Sequence, residues 1–158
     1  MAIYRRGSTE VSHKADTSPV TEADLASHRV LAKHLAHLLP SCQVVSEEDP
    51  ASLVYRQGVG RFWLIDPLDG TKEFIARNGE FTVNIALIEE GRSTLGVVYA
   101  PAIDALYWGG TGLGACRCIG DQTVTINVEP AAEGRACRVV AGTTRQRRSG
   151  QHCRNRQA

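Results

Sequence analysis

Two aspartates three residues apart, Asp66 and Asp69, follow the apolar run Trp63-Leu64-Ile65 and flank a turn marked by Pro67 and Gly70. An apolar run that ends in Pro and Gly reads as a strand entering a turn, so the carboxylates are delivered to a strand end. Two carboxylates about 4 Å apart repel by roughly 4 kcal/mol at an effective dielectric near 20. A hard divalent cation such as Mg²⁺, which takes oxygen ligands, relieves that repulsion. Asp-Pro and Asp-Gly also favour turns by themselves, and a lone motif of this kind serves equally well as ordinary turn chemistry. This one is not alone. Ser46-Glu47-Glu48-Asp49 follows Val44-Val45, a second acidic cluster at the end of a second short apolar run. Further upstream stand Lys14-Ala15-Asp16, Ser18-Pro19-Val20-Thr21 and Asp24.

These groups need a scaffold. Pro19 biases Ser18 away from helix, so residues 14–20 read as an extended loop. Thr21 is a good N-cap with Asp24 at the third helical position, close to a capping box. Leu25, His28, Leu31, Leu35, Leu38 and Leu39 recur every three to four residues, which predicts a helix from Glu22 to Leu39 that stops at Pro40. Asp24 is accounted for by the cap alone. His28, His34 and His37 share this helix, but no Cys or carboxylate completes a ligand set, and they read as solvated or partly packed. Residues 1–10 show no independent element.

From Arg61 onward the pattern is strand-rich. Phe81, Val83, Ile85 and Leu87 alternate with smaller or polar residues, and Leu95 to Tyr99 follows the turn Glu89-Glu90-Gly91-Arg92. Further runs at 105–108, 115–119 and 122–128 continue a meander. The fold class is therefore α+β, a helix packed on a mostly antiparallel sheet. Gly109-Gly110-Thr111-Gly112-Leu113-Gly114 lies between two strand-like runs instead of opening a helix, so it reads as a hairpin turn and not as a nucleotide loop.

The length of 158 residues suits one ordinary domain. No apolar run approaches the length of a transmembrane span and no secretory signal opens the chain, so a cytoplasmic location is the default. Five scattered cysteines, Cys42, Cys116, Cys118, Cys137 and Cys153, fit buried, reduced thiols better than a disulfide framework. Cys116 and Cys118 fall on one face of a strand. Residues 1–141 carry 13 Lys and Arg against 17 Asp and Glu, a net of −4, whereas residues 142–158 carry five Arg and no acid. That basic tail lacks apolar periodicity and reads as disordered; without aromatics to stack bases, a nucleic-acid partner is not expected. An abrupt loss of pattern near Gly142 is what a reading-frame slip would produce.

Taken together and in order, the three acidic motifs resemble the lithium-sensitive, Mg²⁺-dependent phosphatases of the inositol monophosphatase superfamily. The resemblance covers roughly residues 11–141. The run Asp69-Gly70-Thr71-Lys72-Glu73-Phe74-Ile75, followed by Asn78-Gly79-Glu80-Phe81-Thr82-Val83-Asn84, is similar to the branch of 3'(2'),5'-bisphosphate nucleotidases. Inositol phosphatases more usually carry Thr and Asn where this chain has Lys72 and Glu73. The resemblance implies the N-terminal αβ half, residues 11–141, of the layered sandwich of the sugar phosphatase type.

It also implies a site. Glu47, Asp66 and the carbonyl of Leu68 would hold one Mg²⁺; Asp66 and Asp69 would contribute to a second. Glu48 and Asp49 stand next to Glu47, and the family pattern favours Glu47. Asp24 and Thr71 would orient the attacking water, with Glu47 assisting catalysis through its metal. Gly70, Thr71 and Lys14 would contact the substrate. The implied reaction is removal of the 3'-phosphate of 3'-phosphoadenosine 5'-phosphate to give AMP, within sulfate assimilation. The implied location is the cytoplasm, with peripheral association at the inner membrane face as an alternative.

The family's C-terminal half, with its W-D-x-A-A-G-like motif, has no match in residues 129–158. The expectation is that this chain binds Mg²⁺ weakly and turns over substrate poorly. Two alternatives remain at this point: an inositol monophosphatase, and a nonenzymatic truncated remnant.

Overall fold

The structure is a computed structural model that describes residues 1–6, 11–13, 19–57 and 60–128. The chain divides into a unit Met1–Asn127 and a unit Val128–Ala158. Beyond Val128 the second unit lies outside the described residues, as do Lys14, Cys137, Cys153 and the basic segment 142–158.

In chain order the elements are α1 (Ala2–Arg6), β1 (Val11–His13), β2 (Pro19–Thr21), α2 (Glu22–Leu38) and β3 (Gln43–Ser46). A 3-10 helix (Pro50–Gln57) leads to β4 (Arg61–Asp69) and α3 (Thr71–Ala76). Then come β5 (Thr82–Glu89), β6 (Arg92–Ala100), β7 (Ala105–Gly110), β8 (Gly114–Ile119) and β9 (Gln122–Ile126). β1 and β2 form an antiparallel ribbon; β3 to β9 form a seven-stranded sheet in sequential order, antiparallel except for the parallel pair β3 and β4. The α+β expectation holds.

α2 forms where the cap dictates. Thr21 Oγ accepts from the Ala23 amide, and the Asp24 side chain accepts from the Thr21 amide, closing the capping box. The helix lies on one face of the sheet, where Leu35 and Cys42 pack with Trp63 and Ile65 of β4 against Leu31, Ile85, Leu87 and Leu95. Fully burying a side chain of this size contributes about 1.5–3 kcal/mol, so this cluster anchors the helix. Two residues of the expected apolar stripe behave otherwise: Leu25 is 40% exposed and Leu38 is 70% exposed. Leu25 lies in the first turn of α2 and Leu38 is its last residue, so both fall at the ends of the stripe.

Residues 1–10 also depart from expectation, because α1 forms and is packed. Tyr4 lies 5.1 Å from the Phe74 ring and 5.0 Å from Phe81, and those two rings meet edge-on at 5.0 Å. Ala23 and Leu68 complete this second cluster. The hairpin reading of the Gly-rich run is correct: β7 ends at Gly110 and β8 begins at Gly114. Gly109 sits so close to Gly114 and Ala115 that a Cβ would lie 2.8 Å from the Gly114 carbonyl. Cys116 and Cys118 do share a face, but they are only half-buried, whereas Cys42 is buried. Among the described residues no helix is long and apolar enough to cross a membrane.

Candidate active site

The parallel pairing of β3 with β4 places the acids. Ser46 stands opposite Ile65, and the Glu47 amide donates to the Ile65 carbonyl at 3.3 Å. Continuing that register, Glu47 and Asp66 leave the sheet side by side, on the face opposite α2. Both line a cavity of about 440 Å³ with Val45, Leu64, Asn84 and Arg56.

Asp66 and Asp69 would point to opposite faces of a regular strand, since side chains alternate. The register shows why they do not. Asp66 pairs with Asn84 and Asp69 with Thr82, so two residues of β4 oppose one residue of β5. This bulge absorbs Pro67 and Leu68 and returns Asp69 to the face of Asp66. Pro67 suits the position because it has no amide to contribute to the ladder. Asn84 Nδ2 donates to Asp69 Oδ2 at 3.1 Å and holds it there.

Negative charge is concentrated along this edge. Burial pushes the Asp66 carboxyl up to about 6; the negative charges of Glu47, Asp69 and Glu48 add to the rise, and a hydrogen bond from the Leu68 backbone opposes it. Glu47 is the strongest of these charges, consistent with Glu47 rather than Glu48 facing Asp66. Asp66 Oδ1 is buried with no hydrogen-bond partner, as is Asn84 Oδ1 in the residue paired with it. A buried carboxylate oxygen without a donor is costly, and a cation is the natural group to satisfy it. The donor set is all oxygen, which suits Mg²⁺. Among the described residues no three His, Cys, Asp or Glu side chains close around one point. Glu47, Asp66 and Asp69 share a face without closing around one point, so a cation held there would need further ligands from backbone oxygens, water or substrate.

A second group adjoins this edge. Thr71 Oγ donates to Asp24 Oδ1 at 3.0 Å, and the Leu68 carbonyl lies 3.4 Å from the same hydroxyl. Asp24 is fully buried, and its Oδ2 accepts from both the amide and the hydroxyl of Thr21. Gly70 makes the turn into α3 with φ of 93°, where a Cβ would lie 2.9 Å from the Glu80 carbonyl. Only glycine fits there without strain.

Thus Glu47, Asp66 and Asp69 are brought to one face, with Leu68, Gly70, Thr71 and Asp24 beside them. Lys14 lies outside the described residues. Sequence reasoning missed Asn84, whose place opposite Asp66 depends on strand register, and Ser46, whose hydroxyl is buried beneath the Glu47 turn.

A helix-backed sheet that gathers carboxylates at the ends of a parallel strand pair defines the α+β architecture of the sugar phosphatase type. The chain belongs to the inositol monophosphatase family, whose model matches residues 2–157. It is 57% identical over 103 residues to the 3'(2'),5'-bisphosphate nucleotidase CysQ of Salmonella typhimurium, covering 65% of this chain and 42% of that protein. Among solved structures it is similar to CysQ from Bacteroides thetaiotaomicron, with 44% identity and a TM-score of 0.59 over 71% of this chain and 42% of that one. It is also similar to an IMPase/NADP phosphatase complexed with Mg²⁺ and phosphate, with 25% identity and a TM-score of 0.60 over 68% of this chain and 41% of that one. The chain thus spans less than half the length of these relatives.

Proposed function

We propose that this chain carries the metal-binding edge of a Mg²⁺-dependent phosphomonoesterase that removes the 3'-phosphate of 3'-phosphoadenosine 5'-phosphate to give AMP. The observation that carries this reading is the β4 bulge, which sets Asp66 and Asp69 on one face and leaves a buried Asp66 oxygen without a donor. Identity to nucleotidases named CysQ supports the nucleotide over an inositol phosphate.

Glu47, Asp66, Asp69 and the Leu68 carbonyl would hold the Mg²⁺. When bound, Mg²⁺ supplies charge neutralisation and lowers the pKa of water. The chain's own residues do the rest. Thr71 Oγ donates a hydrogen bond to Asp24 Oδ1, so its lone pairs would accept a hydrogen bond from a water and aim it. The Thr21 amide and hydroxyl on Asp24 Oδ2 and the Thr71 hydroxyl on Oδ1 together fix the orientation of that carboxyl group. Gly70 lets the chain turn into α3 past the Glu80 carbonyl, the amides of Gly70 and Thr71 would point at the phosphate oxygens, and Lys14 is proposed to contact the same substrate.

The test has two readouts on the 158-residue chain. Mg²⁺ should raise the unfolding midpoint of the native sequence and leave Asp66→Asn unchanged. Mg²⁺-dependent phosphate release should be faster from 3'-phosphoadenosine 5'-phosphate than from inositol 1-phosphate. Absence of metal-linked stabilisation, or preference for the inositol ester, would overturn the reading.

A further inference from the structure

The turn that carries Glu47 is tied down by hydroxyl groups. The Ser46 amide donates to Ser52 Oγ at 3.0 Å, and Ser52 Oγ donates to the Asp49 carbonyl at 2.6 Å. The Asp49 amide returns to the Ser46 carbonyl at 3.2 Å, and the Glu48 amide donates to Ser46 Oγ at 3.2 Å. Both serines are buried, at 1% and 3% exposure. Glu47 is therefore flanked on both sides by residues whose backbone is fixed through Ser46.

One bond connects this knot to the helix layer. His28 Nδ1 lies 2.8 Å from Ser46 Oγ. Ser46 faces α2 because it is one position before Glu47, and strand alternation sends the two side chains to opposite faces. His28 is four residues after Asp24, so both occupy one face of the helix, one turn apart. Asp24 reaches Thr71 after β4, and His28 reaches Ser46 at the end of β3. A single rigid turn of helix thus spaces the two halves of the site.

We infer that His28 is a positioning residue for the metal edge: through Ser46 it fixes the Glu47 turn relative to Asp24 and Thr71. This rests on the reading of Glu47 as a metal ligand. His28 acts on the edge through its hydrogen bond to Ser46. Outer partners that orient metal ligands typically change affinity by 10- to 100-fold when removed.

The experiment titrates Mn²⁺ into the full chain, following the signal of free Mn²⁺ by electron paramagnetic resonance. His28→Leu fills the space without a hydrogen bond and should weaken Mn²⁺ binding roughly 10-fold. His28→Asn keeps a polar group near the position of Nδ1 and should stay within about threefold of the native chain, a rescue that a packing role would not give. Ser46→Ala, which also removes the acceptor of the Glu48 amide, should weaken binding at least as much as His28→Leu, and the double variant should lose no more than Ser46→Ala alone, because the His28 link runs through Ser46. Native binding with His28→Leu within twofold of it would overturn the inference alone, as would additive losses or a His28→Asn as weak as His28→Leu. A native chain that binds no Mn²⁺ would remove both the inference and the reading beneath it. If His28→Leu fails to fold, the Asn and Ser46 variants still decide.

Discussion

Thr71 and Asp24, 47 positions apart in sequence, share a 3.0 Å hydrogen bond that joins the first turn of α3 to the first turn of α2. Because Asp24 also closes the cap of its own helix, one carboxylate serves both folding and the proposed chemistry. Thr71→Val should therefore lower stability by about 1–2 kcal/mol, since it leaves a buried acceptor short of one donor. Thr71→Ser should be close to native. Urea unfolding measures the first effect. Phosphate release should fall roughly 100-fold in Thr71→Val and much less in Thr71→Ser.

Asp66 gives a pH dependence of defined sign. Its carboxyl sits near 6 in the fold against an ordinary 3.8, so the folded state holds the proton more tightly than the unfolded one. Without divalent cations, the stabilising contribution is full below pH about 3.8 and is lost as pH rises through about 6. Asp66→Asn should remove that slope and raise metal-free stability at pH 7 by about 1 kcal/mol, after discounting for the half-exposed position. Thermal unfolding in EDTA across pH 4 to 8 reads both effects. A native chain with no loss of stability between pH 4 and 6, other groups corrected for, would contradict this assignment.

Gly70 is the least replaceable turn residue near the site. Gly70→Ala meets both a positive φ and the Glu80 carbonyl, and should cost about 2–3 kcal/mol. Gly91 also has a positive φ but nothing within 4 Å of a built Cβ, so Gly91→Ala should cost about 1 kcal/mol. Equilibrium denaturation of the pair separates strain from crowding.

The aromatic cluster supports α3 from beneath. Phe81→Ala should destabilise by about 3–5 kcal/mol, as for other buried aromatics. Tyr4→Ala should cost about 1–2 kcal/mol, because Tyr4 is half-buried yet also carries the Arg77 guanidinium 5.0 Å above its ring. A Tyr4 variant as stable as the native chain would mean that α1 does not dock in solution.

What was legible in the sequence is what is written locally. Thr21, Asp24 and Pro40 bound α2 because capping and proline act on their own neighbours. Asp66 and Asp69 were visible as an acidic pair, yet alternation alone would have separated them. The bulge that reunites them is a property of two strands, and β4 by itself does not encode how β5 will count against it. The contacts His28 to Ser46 and Asn84 to Asp69 span 18 and 15 positions and depend on register in the same way. The 3-10 helix at residues 50–57 leaves no signal in the sequence because its only buried residue is Ser52, so no apolar stripe marks it. Residues 1–10 show no independent element in the sequence because the partners of Tyr4, Phe74 and Phe81, lie about 70 residues on.

The parallel pairing of β3 with β4 also sets how this site tolerates change in chain length. Glu47 and Asp66 are neighbours by strand count from Gln43 and Phe62, and the span between them only has to return the chain to the starting edge. Insertions within residues 53–60 should leave the acidic pair in step. Deleting one residue from 43–46 or from 62–65 would turn one of the two carboxylates toward α2 and split the pair between opposite sides of the sheet.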